Sequence, residues 1–296
     1  MSSGEIVLIT GASGFLGRAC CSAFTAAGFQ VRALVRNPAA AADLQSVAPG
    51  GIYGCDLPDQ IDERAFEGGV RALVHCAYET RSATLEQARR TNVTGTERLI
   101  HLGRRHDVRQ LVFVSSMAAH AGAASVYGKT KYELEKLFDA APDTVIKPAT
   151  IVGDGGVFRR TRDMLRRLPV VPLFYADRRL QTIWIDDVCE GMVRAVERSL
   201  GGTVLLAHPE STPMREFYAA IAAVDGIRLK TCPFPGDLAL LGIRMLERVG
   251  LHPPITSDNL LGIKHLHEFD PVADLARLDL HPLSFQESLQ RLSQNC

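Results

Sequence analysis

The residues of this chain best suited to proton chemistry lie between positions 115 and 131. Tyr127-Gly128-Lys129-Thr130-Lys131 sets a phenol and an ammonium group four positions apart, which on a helix is one face. An unperturbed tyrosine titrates at about pH 10, too high for efficient proton exchange near neutrality. A fixed cation beside it favours the phenolate and should lower that value. Lys129 illustrates the plainer alternative for such a spacing, a solvated helix. Just upstream, the strand-like run Gln110–Val114 ends in Ser115-Ser116. A hydroxyl there could hold a carbonyl or alkoxide oxygen while Tyr127 moves the proton. Ser116 is the expected contact, and Ser115 is expected to turn toward the fold. Ser116, Tyr127 and Lys131 are the candidate catalytic set, and its chemistry is interconversion of a carbonyl and an alcohol.

Such a reaction needs a hydride carrier, and the N-terminus offers a place for one. The apolar run Ile6–Thr10 leads into Gly11-Ala12-Ser13-Gly14-Phe15-Leu16-Gly17, followed by a helical pattern to Ala27 that Gly28 stops. Glycine at each corner permits a tight turn, close approach of backbone to a pyrophosphate and close helix–strand contact. The helix N-terminus adds free N–H groups and a favourable dipole. Gly11, Ser13, Gly14, Phe15, Leu16 and Gly17 are therefore expected at a dinucleotide. The second strand, Val31–Val35, ends in Arg36-Asn37, with no acid before Asp43. An acid there would select NAD by accepting from the ribose hydroxyls. Arg36 instead suits a 2′-phosphate, with Arg32 or Arg18 assisting. NADP is the expected cofactor and NAD the alternative, in which Arg36 is simply solvated at a strand edge.

The elements needed to position these groups are legible as alternation. Strand-like runs lie at Ile6–Thr10, Val31–Val35, Ile52–Cys55, Ala72–Cys76, Gln110–Ser115, Thr144–Lys147 and Thr203–Ala207, and most are nearly continuous in apolar residues, as strands covered on both faces must be. Helical segments lie between them at Phe15–Ala27, Thr84–Arg105, Tyr127–Ala140 and Asp186–Ser199. This order implies right-handed crossovers and an α/β, doubly wound parallel sheet. Asp154–Arg179 reads as irregular. Met214–Val224 and Asp237–Val249 read as helices of a small C-terminal substrate lobe, with Thr182–Ser199 returning to the main sheet. The expected division is 1–152 with 180–208 for the nucleotide and 153–179 with 209–296 for the lobe.

Composition narrows the partners. The chain has 296 residues, with Lys+Arg 33 against Asp+Glu 33 and 46% hydrophobic residues, ample for a core. Charge balance removes the usual electrostatic case for nucleic acid or an anionic membrane as main partner. No apolar stretch approaches the ~20 residues of a membrane span, and the first residues lack a signal-peptide pattern. Seven cysteines without a CxxC pair read as reduced thiols of a cytoplasmic protein acting on a small molecule. The histidines have no metal-ligand spacing, so no metal is expected. His265 and His267 are expected at the surface.

With these motifs in hand, the chain resembles the extended short-chain dehydrogenase/reductases, or NAD-dependent epimerase/dehydratase family, over about two-thirds of its length. The matching pieces are the Gly11–Gly17 loop, Asp56-Leu57, His75-Cys76-Ala77 with Tyr78 following, Asn92-Val93-Thr94-Gly95-Thr96, Ser115-Ser116, and Tyr127 with Lys131. Lys147-Pro148-Ala149-Thr150-Ile151-Val152-Gly153 and Trp184-Ile185-Asp186-Asp187-Val188 complete the series. The resemblance implies a Rossmann-type sheet. It puts Asp56 and Leu57 by the adenine, Cys76, Ala77 and Tyr78 beside the cofactor, Lys131 on the nicotinamide ribose, and Pro148 and Ile151 near the nicotinamide. It also implies a homodimer through paired helices. Asn92 reads as a cofactor-side scaffold or proton relay, with a structural role equally open.

Departures from the family sharpen the reading. Ser116 and Tyr127 are eleven positions apart, where sugar-nucleotide enzymes carry a longer loop. Lys147 replaces the family's arginine, and Met117-Ala118 stand where dehydratases keep an acid and base. These features weigh against dehydration, and Met117, Ala118 and Ala119 suggest an open or apolar pocket. The expectation is an NADP(H)-dependent oxidoreductase. A sugar-nucleotide epimerase or 4-keto reductase is the first alternative, with Arg159, Arg160, Arg162, Arg166 and Arg167 as a diphosphate clamp or merely a solvated helix face. A non-catalytic cofactor-binding regulatory or assembly protein is the second. Asp186-Asp187 are expected to cap the helix that follows.

Overall fold

The apolar runs become strands because each alternates its side chains between two cores. In β1 (Ile6–Thr10), Val7 and Ile9 enter one core while Ile6 and Leu8 enter the other. The computed structural model describes residues 4–80, 84–251 and 255–294. After β1 come α1 (Phe15–Ala26), β2 (Gln30–Val35), β3 (Gly51–Asp56), β4 (Gln60–Ile61) and β5 (Val70–His75). Next are α2 (Leu85–Ala88), α3 (Thr94–Arg105), β6 (Leu111–Val114), α4 (Val126–Glu135), β7 (Thr144–Pro148) and β8 (Thr150–Val152). Then follow α5 (Gly156–Arg167), β9 (Val171–Leu173), β10 (Arg179–Trp184), α6 (Ile185–Glu197) and β11 (Gly202–Leu206). The chain closes with β12 (Ser211–Pro213), α7 (Met214–Val224), β13 (Thr231–Pro233), α8 (Gly236–Arg248), α9 (Ser257–Lys264), α10 (Val272–Leu278) and α11 (Phe285–Gln294).

The main sheet runs β11-β7-β6-β5-β1-β2-β3-β4. It is parallel except for the β3–β4 pair at one edge. Strand order reverses between β1 and β5, so their C-terminal ends open the crevice where such sheets take ligands. Apolar residues of α1, α5, α6, α7, α10 and α11 cover one face, and those of α3 and α4 cover the other.

Several expectations are corrected. The segment 182–184 does not return to the main sheet. Thr182–Trp184 of β10 pair in parallel with Thr150–Val152 of β8, and β12 pairs on β10 in antiparallel. An apolar run shows that a strand is buried and is silent on its neighbour, and here only α6 comes back to the main layers. Residues 156–167 form a regular helix rather than an irregular segment, with Phe158 and Leu165 buried beneath the arginines. The long helix expected over 84–105 is interrupted by a π-helical stretch, Arg89–Val93. Helix α4 ends at Glu135, short of Ala140, and Phe138 folds back to stack on Phe113 at 4.9 Å. Helices α9, α10 and α11 carried no clear signal in sequence. Asp186 and Asp187 do not cap α6. Asp186 accepts from the Trp184 indole at 2.8 Å, and Asp187 accepts from the Leu283 N–H at 2.8 Å.

Cys20, Cys21, Cys55, Cys76, Cys189 and Cys232 are free thiols, four of them buried, and Cys296 lies outside the described residues. Among the described residues no helix is long and apolar enough to cross a membrane. No group of side chains among them is arranged to hold a metal ion.

Candidate active site

Helix α4 is fixed at its start by two hydrogen bonds. Ser125 accepts from the Gly128 N–H at 3.0 Å, and Asp258 of α9 accepts from the Val126 N–H at 2.5 Å. A Cβ on Gly128 would lie 2.5 Å from the Ala118 carbonyl oxygen, so only glycine lets the helix sit this close to the loop after Ser116. Burial holds the phenol of Tyr127 above its ordinary value, and the neighbouring Ser116 side chain works the other way. Ser116 also accepts from the Ala118 N–H at 3.2 Å.

One turn on, Lys131 is buried. Its Nζ donates to the Val114 carbonyl at 2.6 Å and lies 4.4 Å and 4.6 Å from the ring centres of Tyr78 and Phe113. Burial pushes this ammonium down to about 7, against the opposing influence of Cys76 and Glu135. The expected lowering of Tyr127 by Lys131 is therefore not found. The ammonium is bonded to a backbone carbonyl, and the Tyr78 ring packs edge-on against Tyr127 at 5.3 Å. Desolvation sets the direction for that phenol, and Ser116, not the ammonium, opposes it.

Beneath these groups runs a buried polar chain. Ser115 does turn inward, donating to Glu135 Oε1 at 2.5 Å, and Lys147 donates to Glu135 Oε2 at 3.0 Å and to the Ala119 carbonyl at 2.6 Å. The lysine found where the family has arginine thus ties the loop after Ser116 to helix α4.

Ser116, Tyr127 and Lys131 share the wall of a cavity of about 400 Å³ with Phe15, Leu16, Cys76, Tyr78, Pro148 and Ile151. Behind it, His75 lies between the hydroxyls of Thr10 (2.7 Å) and Thr96 (2.9 Å). Thr96 donates to the Asn92 carbonyl at 2.7 Å and Thr10 accepts from the Ala77 N–H at 3.2 Å. One proton arrangement satisfies all four contacts: Nε2–H donates to Thr96, and neutral Nδ1 accepts from Thr10. Burial, then Lys131, push His75 down to about 3. Asn92 does not line the cavity. Its amide holds the main chain of Glu79, accepting from the N–H at 2.7 Å and donating to the carbonyl at 3.2 Å.

The glycine turn leaves no room for larger side chains. Gly11 has φ +64°, and a Cβ on it would sit 2.9 Å from the Ala77 backbone. A Cβ on Gly17 would sit 2.2 Å from the Gly11 carbonyl oxygen, whereas one on Gly14 would meet only that oxygen, at 3.1 Å. Ser13 and Gly14 are exposed at the open end of the turn. This is a cradle that backbone alone lines, and it fits a pyrophosphate at the N-terminus of α1. Arg36 and Asp56 lie in a second concavity with Arg98. Arg36 Nε is 3.0 Å from Asp56 and its NH2 group 3.8 Å from Glu79. Leu57 packs under Gly95. Arg32 cannot assist there, because its guanidinium donates to the carbonyls of Ala65 (2.7 Å) and Glu67 (2.5 Å). Arg18 pairs with Asp43 at 2.5 Å.

The arginine stretch divides. Arg162 and Arg166 are held by Asp225 at 2.5 Å and 3.2 Å, Arg159 lies 4.0 Å from Asp154, and Arg160 faces the cavity. Sequence reasoning missed His120, which lines the cavity with its ring 4.4 Å from that of His267. His265 and His267 belong to this wall as well; His267 is exposed, as expected, and His265 is half-buried. No local spacing signals them, because α9 brings them in from far along the chain. Gly155 was missed too: a Cβ there would lie 2.1 Å from the Phe15 ring.

A family model described as NAD dependent epimerase/dehydratase family matches residues 7–206, and the chain belongs to that family. Among its relatives is a 4-hydroxy-2-methyl-3-oxo-4-farnesyl-3,4-dihydroquinoline-1-oxide ketoreductase of Stigmatella aurantiaca, 29% identical over 78% of this chain and 76% of that one. A ceramide reductase of Caulobacter vibrioides is 29% identical over 79% and 75%. The fold is that of UDP-glucose 4-epimerase from Thermus thermophilus, solved in complex with NAD, with a TM-score of 0.72 at 19% identity over 98% of both chains. The chain is an NAD(P)-dependent enzyme of the epimerase and reductase type.

Proposed function

We propose that this enzyme reduces the ketone of an apolar, lipid-like molecule with NADPH, using Tyr127 as proton donor. The observation that carries the reading is the convergence of Ser116, Tyr127 and Lys131 on one cavity whose other walls include Met117, Ala118, Leu261 and Leu266. A farnesyl-bearing ring and a ceramide are the molecules printed in the names of two relatives that cover most of this chain. A diphosphate clamp has little support, since Arg162 and Arg166 are committed to Asp225.

The turn Gly11–Gly17 and the first turn of α1 would hold the pyrophosphate, Arg36 the adenosine end, and Cys76, Tyr78, Lys131, Pro148 and Ile151 the nicotinamide end. When bound, the nicotinamide supplies hydride to the carbonyl carbon. Tyr127 donates a hydrogen bond to the carbonyl oxygen and passes it the proton as negative charge develops. With burial holding its pKa above the ordinary value, the phenol carries at neutral pH the proton it passes on. Ser116 donates a second hydrogen bond to the same oxygen. Lys131, held by Val114, orients toward the ribose and, with Tyr78, excludes water. Taking a 2′-phosphate requires Arg36 to exchange Asp56 for it, a small loss because that pair is exposed.

The experiment is to supply purified enzyme and NADPH with a long-chain aliphatic ketone, an aryl ketone and, separately, UDP-glucose. Oxidation of the nicotinamide with the first two and no conversion of UDP-glucose is expected. Epimerised UDP-glucose with both ketones inert would overturn the reading.

A further inference from the structure

Helix α8 has two apolar faces, and the lobe needs only one of them. Ala239 and Leu240 are buried against Leu260 of α9, with Ile243 packed alongside. On the other side Leu238 (61% exposed), Leu241 (59%), Met245 (61%) and Val249 (73%) face outward. Their spacing of three, four and four residues keeps them on one stripe. Phe234 before the helix and Leu251 after it are exposed as well. A continuous apolar surface of this kind marks an interaction site.

The charges beside the stripe identify the partner. Arg244 and Arg248 lie along the Leu241 edge, exposed, and neither pairs with an acid among the described residues. The acids of the helix are already engaged. Asp237 accepts from Lys264 at 2.7 Å and from Tyr175 at 2.8 Å, and Glu247 accepts from the Ser257 N–H at 2.8 Å. An apolar stripe edged by unpaired arginines fits a bilayer surface: the stripe enters the acyl boundary, the alkyl stems of the arginines lie along it, and the guanidinium groups meet phosphates. Two copies joined through this stripe would bring the four arginines together with no free helix carboxylate to receive them.

We propose that α8 docks this enzyme on anionic lipid bilayers. The cavity lies one helix away, because Leu261 of α9 both packs in the α8–α9 cluster and lines the cavity. Docking would therefore hold the cavity close to the phase in which an apolar ketone dissolves. The claim stands apart from the reaction proposed above, and its test reads vesicle binding rather than turnover.

The test is flotation of the full chain with phosphatidylcholine vesicles, with and without phosphatidylglycerol, at low and high salt. Two variants accompany the wild type: Leu238→Glu/Leu241→Glu/Met245→Glu, and Arg244→Gln/Arg248→Gln. Their circular dichroism and NADPH binding should match wild type, since no substituted residue touches the cavity. Wild type should float with the anionic vesicles and be released by salt. The triple variant should lose binding more than tenfold, and the arginine variant about fivefold for each charge removed. Wild type remaining unbound would overturn the proposal, as would binding unchanged in the triple variant. So would a wild-type dimer that the triple variant converts to a monomer.

Discussion

Replacing Gly14 and Gly17 separately by alanine should divide the cofactor turn into a part the ligand requires and a part the protein requires. On Gly17 the new methyl would lie 2.2 Å from the Gly11 carbonyl oxygen and 2.7 Å from its carbon. Ordinary contact is about 3.5 Å, so α1 and the turn must part by roughly 1 Å. Overpacking of that kind costs about 1–3 kcal/mol, offset by up to about 1 kcal/mol of helix propensity. A net loss of about 2 kcal/mol lowers Tm by several degrees. On Gly14, φ is −79° and the methyl meets only one oxygen, at 3.1 Å. A shift of a few tenths of an ångström relieves that contact, and Tm should move by no more than a degree or two. The methyl nevertheless projects from the exposed N-cap of α1, where a pyrophosphate would approach, and NADPH affinity should fall at least tenfold, about 1.4 kcal/mol. Thermal denaturation without cofactor, paired with fluorescence titration of NADPH, reads both. A Gly14→Ala protein that binds NADPH like wild type, or a Gly17→Ala protein as stable as wild type, would refute the reasoning.

Two further outcomes follow from charges. His75 is neutral in the fold with its pKa pushed down to about 3, so the unfolded chain takes up its proton first as pH falls. Stability from this residue is complete above about pH 6.5 and is lost toward pH 3, at up to about 1.4 kcal/mol per unit. Urea unfolding of wild type and His75→Gln across that range should show the shallower slope in the variant, and equal slopes would contradict the buried neutral ring. Arg36→Ala should reduce the preference for NADPH over NADH by about tenfold or more, the worth of a charge-assisted hydrogen bond to phosphate. An unchanged ratio of the two dissociation constants would remove Arg36 from the cofactor site.

What the sequence made legible were features in which residue type and local spacing carry the constraint. Gly11 and Gly17 are readable because a positive φ and a 2.2 Å collision admit little else. Tyr127 and Lys131 are readable because a four-residue step returns to the same helix face. Strands such as β1, β5 and β6 are readable because burial on both faces leaves near-continuous apolar runs. What stayed hidden depends on distant chain. His120 meets His267 only because α9 folds over the cavity, and Asp258 reaches the Val126 N–H from the same helix. Arg162 looks like its solvated neighbours until Asp225 covers it. The low pKa of Lys131 comes from burial between Tyr78 and Phe113, which no spacing encodes. Strand β10 advertised its burial but not its partner, so its place in the small sheet was unreadable.

The central claim is that the Tyr127 phenol delivers the proton in a reduction run within this cavity. Single-turnover absorbance of bound NADPH in Tyr127→Phe, with an apolar ketone that wild type reduces, tests it most directly. The ring and its packing against Tyr78 are retained in that variant, so NADPH affinity should stay within about twofold while the rate falls by about 10²–10⁴. A rate within about tenfold of wild type, with NADPH still bound, would contradict the account.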